Sequence, residues 1–125
     1  MSKDMKSDFR ITDEADMFGK KLLESNAIDT SKDIERIGIA IGIKDSAHQS
    51  VESCTKHKRR FSDFGVPQVN AMVELYLNEY PDSNPEEVYS NLEKAASYGI
   101  MILQQKYYNK DMNIINWKKI NEDYS

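Results

Sequence analysis

The stretch IERIGIAIGI (residues 34–43) decides the fold class, because its pattern fits both a strand and a helix. As a strand, it would place Ile37, Ile39, Ile41 and Ile43 on one face, with a period of two. As a helix, it would form a stripe from Ile34, Ile37 and Ile41, with small residues beside the stripe. The first interpretation predicts a sheet protein and the second predicts a helical one.

The residues around this stretch favour the helix. Thr30 and Asp33 precede it at the spacing of a capping box, and the segment is long for a strand. Gly38 and Gly42 each cost about 1 kcal/mol in a helix interior. We therefore expect both glycines to mark a close crossing with another backbone, and we assign them to an interface that holds the fold or an oligomer together.

Other helices are predicted on both sides. FRIT (residues 9–12) alternates apolar and polar side chains like a short strand, and Thr12 then caps a helix that ends near Ser25. Apolar stripes predict further helices in residues 66–80 and 114–120, and Asn84 with Pro85 begins one that runs to about residues 106–108. We expect an all-α class of about five helices, opened by one short strand that would pair only across a dimer.

Composition supports one soluble domain. The chain has 125 residues, of which 39% are hydrophobic and 30% charged. Its longest apolar run is too short to cross a bilayer, so no membrane association is predicted. A single cysteine cannot form an internal disulfide, which favours a reducing, cytoplasmic location.

Charge and aromatic residues divide this domain, residues 1–125, unevenly. Residues 1–65 hold equal numbers of acidic and basic side chains, whereas residues 66–125 carry the whole net charge of −4. All seven tyrosines and the one tryptophan lie at or beyond Tyr76. We therefore distinguish a strand–helix–helix part (9–43), a basic loop (44–65) and an acidic, aromatic-rich helical part (66–120).

The basic loop contains the segment CTKHKRRF (residues 54–61). Four cations lie within five positions there: Lys56, Lys58, Arg59 and Arg60. Such a cluster is typical of phosphate contacts, and it is also typical of a solvated loop. We predict that all four contact nucleic acid, with the solvated loop as the open alternative.

Metal binding and catalysis are weaker interpretations of the same segment. His48, Cys54 and His57 lack the spacings of zinc sites, so no metal and no cofactor are predicted. A thiol–imidazole pair of Cys54 and His57 lacks an orienting acid and an oxyanion hole. We therefore predict that the protein is not an enzyme, and an enzyme that uses Cys54 is a distant alternative.

The order of elements has a counterpart among DNA-binding proteins. A strand followed by two helices is the layout of ribbon-helix-helix proteins, in which side chains of the strand enter the major groove. Here Arg10 and Thr12 would take that role. Residues 9–43, through the pattern RIT…A…LLES…DIERIGIAIGI, also resemble the small helical accessory subunit of bacterial DNA phosphorothioation systems. That resemblance implies a DNA-associated, oligomeric, non-enzymatic protein that works beside modification or phage-defence enzymes.

The acidic part suggests an alternative function. Its aromatic residues outnumber what a small core requires, and aromatic side chains are enriched at binding hot spots. We expect Tyr76, Tyr80 and Trp117 at an interface between copies in a homo-oligomer or with a protein partner. The alternative to DNA association is thus a protein–protein interaction module, an adaptor or an inhibitor.

Overall fold

A computed structural model of the protein describes residues 6–124, and these residues are mainly helical, as predicted. The helices are α1 Asp13–Glu24, α2 Ser31–Lys44, α3 Val66–Glu79, α4 Pro85–Ile102 and α5 Trp117–Tyr124. The strands are β1 Asp8–Ile11, β2 Lys56–Arg60, β3 Tyr108–Asn109 and β4 Ile114–Ile115. Two 3₁₀ turns (Ala47–Gln49 and Phe61–Phe64) and a π turn (Leu103–Tyr107) join these elements.

The ambiguous stretch is helical and lies in α2, against α4. A Cβ on Gly42 would lie 2.5 Å from the Cα of Ala95, and a Cβ on Gly99 would lie 2.5 Å from the Cα of Gly38. Side chains at these positions would collide with the facing backbone, so only glycine permits the approach. The predicted close crossing is confirmed. It lies within one chain, where Gly38 and Gly42 are buried, and it is not a surface for a second copy.

Residues 44–65 differ from the predicted loop, because they contain β2. This strand pairs antiparallel with β1 of the same chain, with a bulge between Phe9 and Arg10, and we call the pair the ribbon. The other edge of β1 is also occupied: the amide of Arg10 donates to Glu93 Oε2 at 2.6 Å, and the amide of Thr12 donates to Ser97 Oγ at 3.1 Å. The expected pairing across a dimer is thus replaced by pairing within the chain.

Aromatic side chains pack behind the ribbon. The Phe9 ring meets Phe61 at 5.2 Å and Phe64 at 5.1 Å, both edge to face, and Phe61 meets Tyr89 at 5.2 Å. Phe9 and Phe61 are fully buried. The inner face of the ribbon therefore belongs to the core, and its outer face points to solvent.

The chain ends by folding back on this core. After the π turn, β3 and β4 form a short hairpin, and the side-chain amide of Asn113 in its loop donates to the backbone oxygen of Ser25 at the end of α1. In α5, Ile120 is buried, and the hydroxyl of Tyr124 donates to Asp45 at 2.9 Å. The predicted C-terminal helix is present and tied to the first half of the chain.

Candidate nucleic-acid interface

Two of the four predicted phosphate-binding cations form ion pairs with helices of the fold, and Lys58 is the first of these two. Its Nζ lies 2.6 Å from Oδ1 of Asp16 in α1, whose other oxygen is 3.2 Å from Lys20. Burial alone would raise the pKa of Asp16, but the hydrogen bonds and charges of Lys58 and Lys20 outweigh burial and lower that pKa. Lys58 is thus neutralised by a buried carboxylate.

Arg59 is the second cation that serves the fold. Its guanidinium donates to both oxygens of Glu35 in α2, at 2.6 and 3.1 Å, and to the hydroxyl of Ser31 at 2.6 Å. It also lies over the Phe64 ring, 5.7 Å from the centroid. Burial raises the pKa of Glu35 despite the opposing effect of Arg59. Lys58 and Arg59 are therefore not free to contact phosphate, and their assignment to the nucleic-acid surface is corrected here.

The other two cations of β2 point to solvent. Lys56 and Arg60 are exposed, and neither forms a salt bridge within residues 6–124. Arg10 of the adjacent strand is exposed too, with its guanidinium 3.1 Å from Asp8. His57 lies opposite Arg10 in the register. Lys56 lies opposite the buried Ile11, at the end of the ribbon, and is exposed there. We call the four exposed basic residues Arg10, Lys56, His57 and Arg60 the outer face of the ribbon.

Thr12 has a structural task at the end of β1. Its hydroxyl accepts a hydrogen bond from the amide of Ala15 at 3.1 Å, so it is the predicted N-cap of α1. That hydroxyl is therefore engaged by the helix. The assignment of Thr12 to base contacts is corrected, whereas Arg10 remains available.

A polar cluster that the sequence did not indicate lies beneath the ribbon. Glu93 is buried in α4 and accepts from Lys6 Nζ at 2.5 Å as well as from the amide of Arg10. Burial raises the pKa of Glu93 against these hydrogen bonds. The spacing of apolar residues could not indicate this cluster, because Glu93 lies in α4, more than 80 residues from its partners.

The cysteine and the two histidines of the basic loop (44–65) lie in three different surroundings. Cys54 Sγ is 3.4 Å from Ser97 Oγ, and burial raises the pKa of its thiol, which disfavours the nucleophilic thiolate. His57 Nδ1 is 3.8 Å from Asp8, and His48 packs against Tyr76 and Tyr80. Among residues 6–124, no group of three His, Cys, Asp or Glu side chains could hold a metal ion.

The predicted aromatic interface divides between core and surface. Tyr76 is buried and accepts from Asn91 at 2.8 Å, and the Tyr80 hydroxyl donates to the backbone oxygen of Ile43 at 2.9 Å. Trp117, by contrast, is 47% exposed. Of the three aromatic residues assigned to an interface, Tyr76 is corrected to a core residue, Tyr80 is half-buried and Trp117 lies on the surface.

Trp117 belongs to an apolar surface at the C-terminal hairpin. Met112 is 66% exposed and Ile114 48% exposed, and we call these two residues with Trp117 the hairpin patch. Trp117 also lines a cleft of about 290 Å³ with the apolar side chains of Ala27, Ile28 and Ile37. Aspartate and arginine side chains complete that cleft: Asp29, Asp33 and Arg36.

Comparison of the chain with protein-family models, with curated protein sequences and with solved structures finds no significant match. No helix in residues 6–124 combines the length and the apolar character that a membrane crossing requires. Function must therefore be inferred from the surfaces themselves.

Proposed function

We propose that the protein is a non-catalytic, DNA-associated accessory protein whose ribbon contacts nucleic acid. The observation that carries the proposal is the outer face of the ribbon, where Arg10, Lys56 and Arg60 are exposed on a two-stranded element with a packed back. The major groove of DNA admits a two-stranded ribbon. Each copy of the chain forms a complete ribbon by itself.

The charge of this surface limits its affinity. Three exposed cations offer about three phosphate contacts, each adding about 0.9 to the slope of log affinity against log salt. Asp8 lies among them, and the whole chain carries a net charge of −4. A single ribbon would bind weakly, so tight association requires several copies on one DNA molecule. Self-assembly is therefore part of the proposal.

The resemblance of residues 9–43 to phosphorothioation accessory subunits supports a place beside DNA-modification or phage-defence enzymes. In ribbon-helix-helix proteins the ribbon is shared by two chains, and its side chains enter the major groove. Here the corresponding side chain is Arg10, joined by Lys56 and Arg60 of β2. The proposed role is to bind or position DNA for such enzymes.

A fluorescence-anisotropy titration with duplex DNA at two salt concentrations tests this role. The triple variant Arg10→Ala, Lys56→Ala and Arg60→Ala should weaken binding and flatten the salt slope by about 2.7. A matched control removes three exposed lysines elsewhere: Lys32, Lys110 and Lys118. The control should retain most of the slope. Equal effects of the two variants, or no binding by the wild-type protein, would contradict the DNA role.

The hairpin patch favours a second candidate, a protein–protein interaction module. Exposed apolar surface marks interaction sites in proteins, and tryptophan is enriched at binding hot spots. Met112, Ile114 and Trp117 lie within six positions, and Trp117 also borders the 290 Å³ cleft. We propose the patch as the surface for self-assembly, or for a partner protein if the chain is an adaptor or an inhibitor.

Mass in solution distinguishes these two uses of the patch. If the patch joins copies, light scattering should give at least twice the 14.4 kDa monomer mass, and Ile114→Ser with Trp117→Ser should return it to one chain. The control is Met17→Ser on α1, which removes another exposed apolar side chain. A wild-type monomer would contradict self-assembly and favour the adaptor or inhibitor.

A further inference from the structure

A second concave surface lies between the end of α3 and the first half of α4. It is an open cavity of about 560 Å³ beside the 3₁₀ turn Ala47–Gln49, and it shares no residue with the ribbon or the hairpin patch. Its walls contain tyrosine and histidine rings, carboxylates and amides. Its lining includes His48, Tyr76, Tyr80, Asp82, Glu87 and Asn91.

Three aromatic residues of the cavity lining pack against one another, with Tyr76 buried and His48 and Tyr80 half-buried. The ring centroids of His48 and Tyr80 are 4.7 Å apart, those of Tyr76 and Tyr80 are 5.0 Å apart, and those of His48 and Tyr76 are 5.2 Å apart. The Tyr80 hydroxyl bonds to the Ile43 backbone oxygen at 2.9 Å and to Ser46 at 2.6 Å. These anchors fix the rings before any ligand arrives, which lowers the entropy cost of binding.

The rim carries uncompensated negative charge. Glu79 is paired with Lys44 at 2.7 Å, but Asp82 and Glu87 are exposed and form no salt bridge with any residue of 6–124. Burial, with a smaller effect of Lys94, lowers the pKa of His48. The imidazole is therefore neutral at pH 7 and adds no positive charge to the lining. The electrostatic field of the cavity favours a cation.

Two residues of the lining also carry hydrogen-bonding groups that have no partner among the described residues. The Nδ1 atom of His48 is the one buried side-chain nitrogen or oxygen in the described part of the chain that has no hydrogen-bond partner. Buried polar atoms in proteins are normally satisfied by a group of the protein, a water or a ligand. Asn91 donates its amide to Tyr76 at 2.8 Å, which leaves its amide oxygen as an acceptor.

We propose that this cavity binds the side chain of an arginine from a protein partner. A guanidinium stacks on aromatic rings and presents five N–H donors in one plane. The half-buried rings of His48 and Tyr80 supply the stacking surface, and the carboxylates of Asp82 and Glu87 and the oxygen of Asn91 supply acceptors. A lysine ammonium would match the charge but not the planar stacking.

The test uses three short peptides that differ only at a central residue flanked by glycines: arginine, lysine or citrulline. Citrulline has nearly the shape of arginine without its charge. In NMR titrations of the whole chain, the arginine peptide should shift the amide signals of Ser83, Glu87 and Asn91. Its dissociation constant should be lower than that of either other peptide.

Variants locate the binding site. Asp82→Asn with Glu87→Gln should raise the dissociation constant of the arginine peptide by about tenfold, which corresponds to about 1.4 kcal/mol. Glu74→Gln with Glu122→Gln removes the same charge from exposed positions outside the cavity and should have little effect.

Equal binding of arginine and citrulline, or equal effects of the two double variants, would overturn the proposal. So would binding of the lysine peptide as tightly as the arginine peptide, because it would show a general cation site. The ribbon takes no part in these measurements, so their failure leaves the DNA proposal unchanged.

Discussion

The ribbon and the crossing of α2 with α4 both join distant parts of the chain, and they do so by different physical means. At the crossing, Gly38, Gly42 and Gly99 let two backbones meet without side chains between them. At the ribbon, Lys58 and Arg59 reach buried carboxylates on α1 and α2. The first junction depends on shape and the second on charge.

This difference explains how one five-residue strand holds both paired and exposed cations. Buried ion pairs require near-complete compensation, because an unpaired buried charge costs several kcal/mol. Lys58 and Arg59 therefore have little freedom to bind a ligand, whereas Lys56 and Arg60 bear no such constraint. The comparison predicts large effects for inward charges, intermediate effects for the glycines and small effects for exposed charges.

The largest effect is expected from Glu35→Ala. This change leaves the guanidinium of Arg59, which is only 14% exposed, without its carboxylate. The free energy of unfolding should fall by about 3–5 kcal/mol, as when one partner of a buried pair is removed. Urea unfolding followed by circular dichroism measures this loss.

A neighbouring residue of the same helix provides the control for Glu35. Arg36→Ala removes an exposed pair with Asp33, and such pairs contribute about 0–1 kcal/mol. If Glu35→Ala lowers the free energy of unfolding no more than Arg36→Ala does, the ion pair of Glu35 and Arg59 does not stabilise the ribbon. The expected difference between inward and exposed charges would then be wrong.

The glycine series should give the next largest effects. Gly42→Ala forces a Cβ into the backbone of Ala95 and should destabilise the fold by about 1–3 kcal/mol, as overpacking does. Gly99→Ala should behave alike. Gly38→Ala should cost less, since its Cβ would meet the Ala96 oxygen at 2.9 Å. Thermal unfolding of the three variants gives the order.

Gly19, unlike the glycines of the crossing, has room for a side chain. A Cβ there would meet its nearest neighbour, Ile100, at 3.7 Å, an ordinary contact. Gly19→Ala in α1 should therefore stabilise the protein by about 0.5–1 kcal/mol through helix propensity alone. A gain in stability for Gly42→Ala would show that the crossing is not closely packed.

The helices could be predicted because their signals are local. Thr12, Thr30 and Asn84 cap the helices that the sequence indicated, and the α2 stretch could be assigned from its cap and its length. Strand β2 could not, because KHKRR shows no alternation of apolar residues. Its pairing depends on a strand 45 residues or more away, and its inward contacts on carboxylates in two helices.

The candidate site could be predicted only in part, because its contacts also join distant parts of the chain. The cluster of cations was visible in the sequence, but sequence spacing could not show which side chains turn inward. Arg10 was correctly placed in the first strand and Thr12 at the cap of the helix that follows, and the fold adds that the Thr12 hydroxyl is engaged by the amide of Ala15. Lys58 and Arg59 form ion pairs with helices while Lys56 and Arg60 stay exposed, and only the contacts of the folded chain show this difference.

The smallest effects concern pH, and the two inward pairs should respond with opposite signs. The folded-state pKa of Asp16 is lowered, so its stabilising contribution is present above about pH 3.8 and is lost as the pH falls through the folded value. The pKa of Glu35 is raised, so its contribution is complete below about pH 4.5 and declines as the pH rises.

Unfolding of Asp16→Asn and Glu35→Gln over a series of pH values checks these signs. The stability of the wild-type protein relative to Asp16→Asn should increase with pH, and its stability relative to Glu35→Gln should decrease. The same trend for both variants would mean that the two carboxylates do not differ in environment as the structure indicates.

The division of strand β2 into inward and outward cations is tested most directly by the salt dependence of DNA affinity in two variants. Lys56→Ala with Arg60→Ala removes the outward pair and should flatten the slope by about 1.8, at about 0.9 for each contact. The second variant removes Lys58 and Arg59 together with their carboxylates, as Lys58→Met, Arg59→Met, Asp16→Asn and Glu35→Gln, so that no buried charge is left unpaired. It should keep the wild-type slope. Loss of slope in the second variant with an unchanged slope in the first would contradict the account.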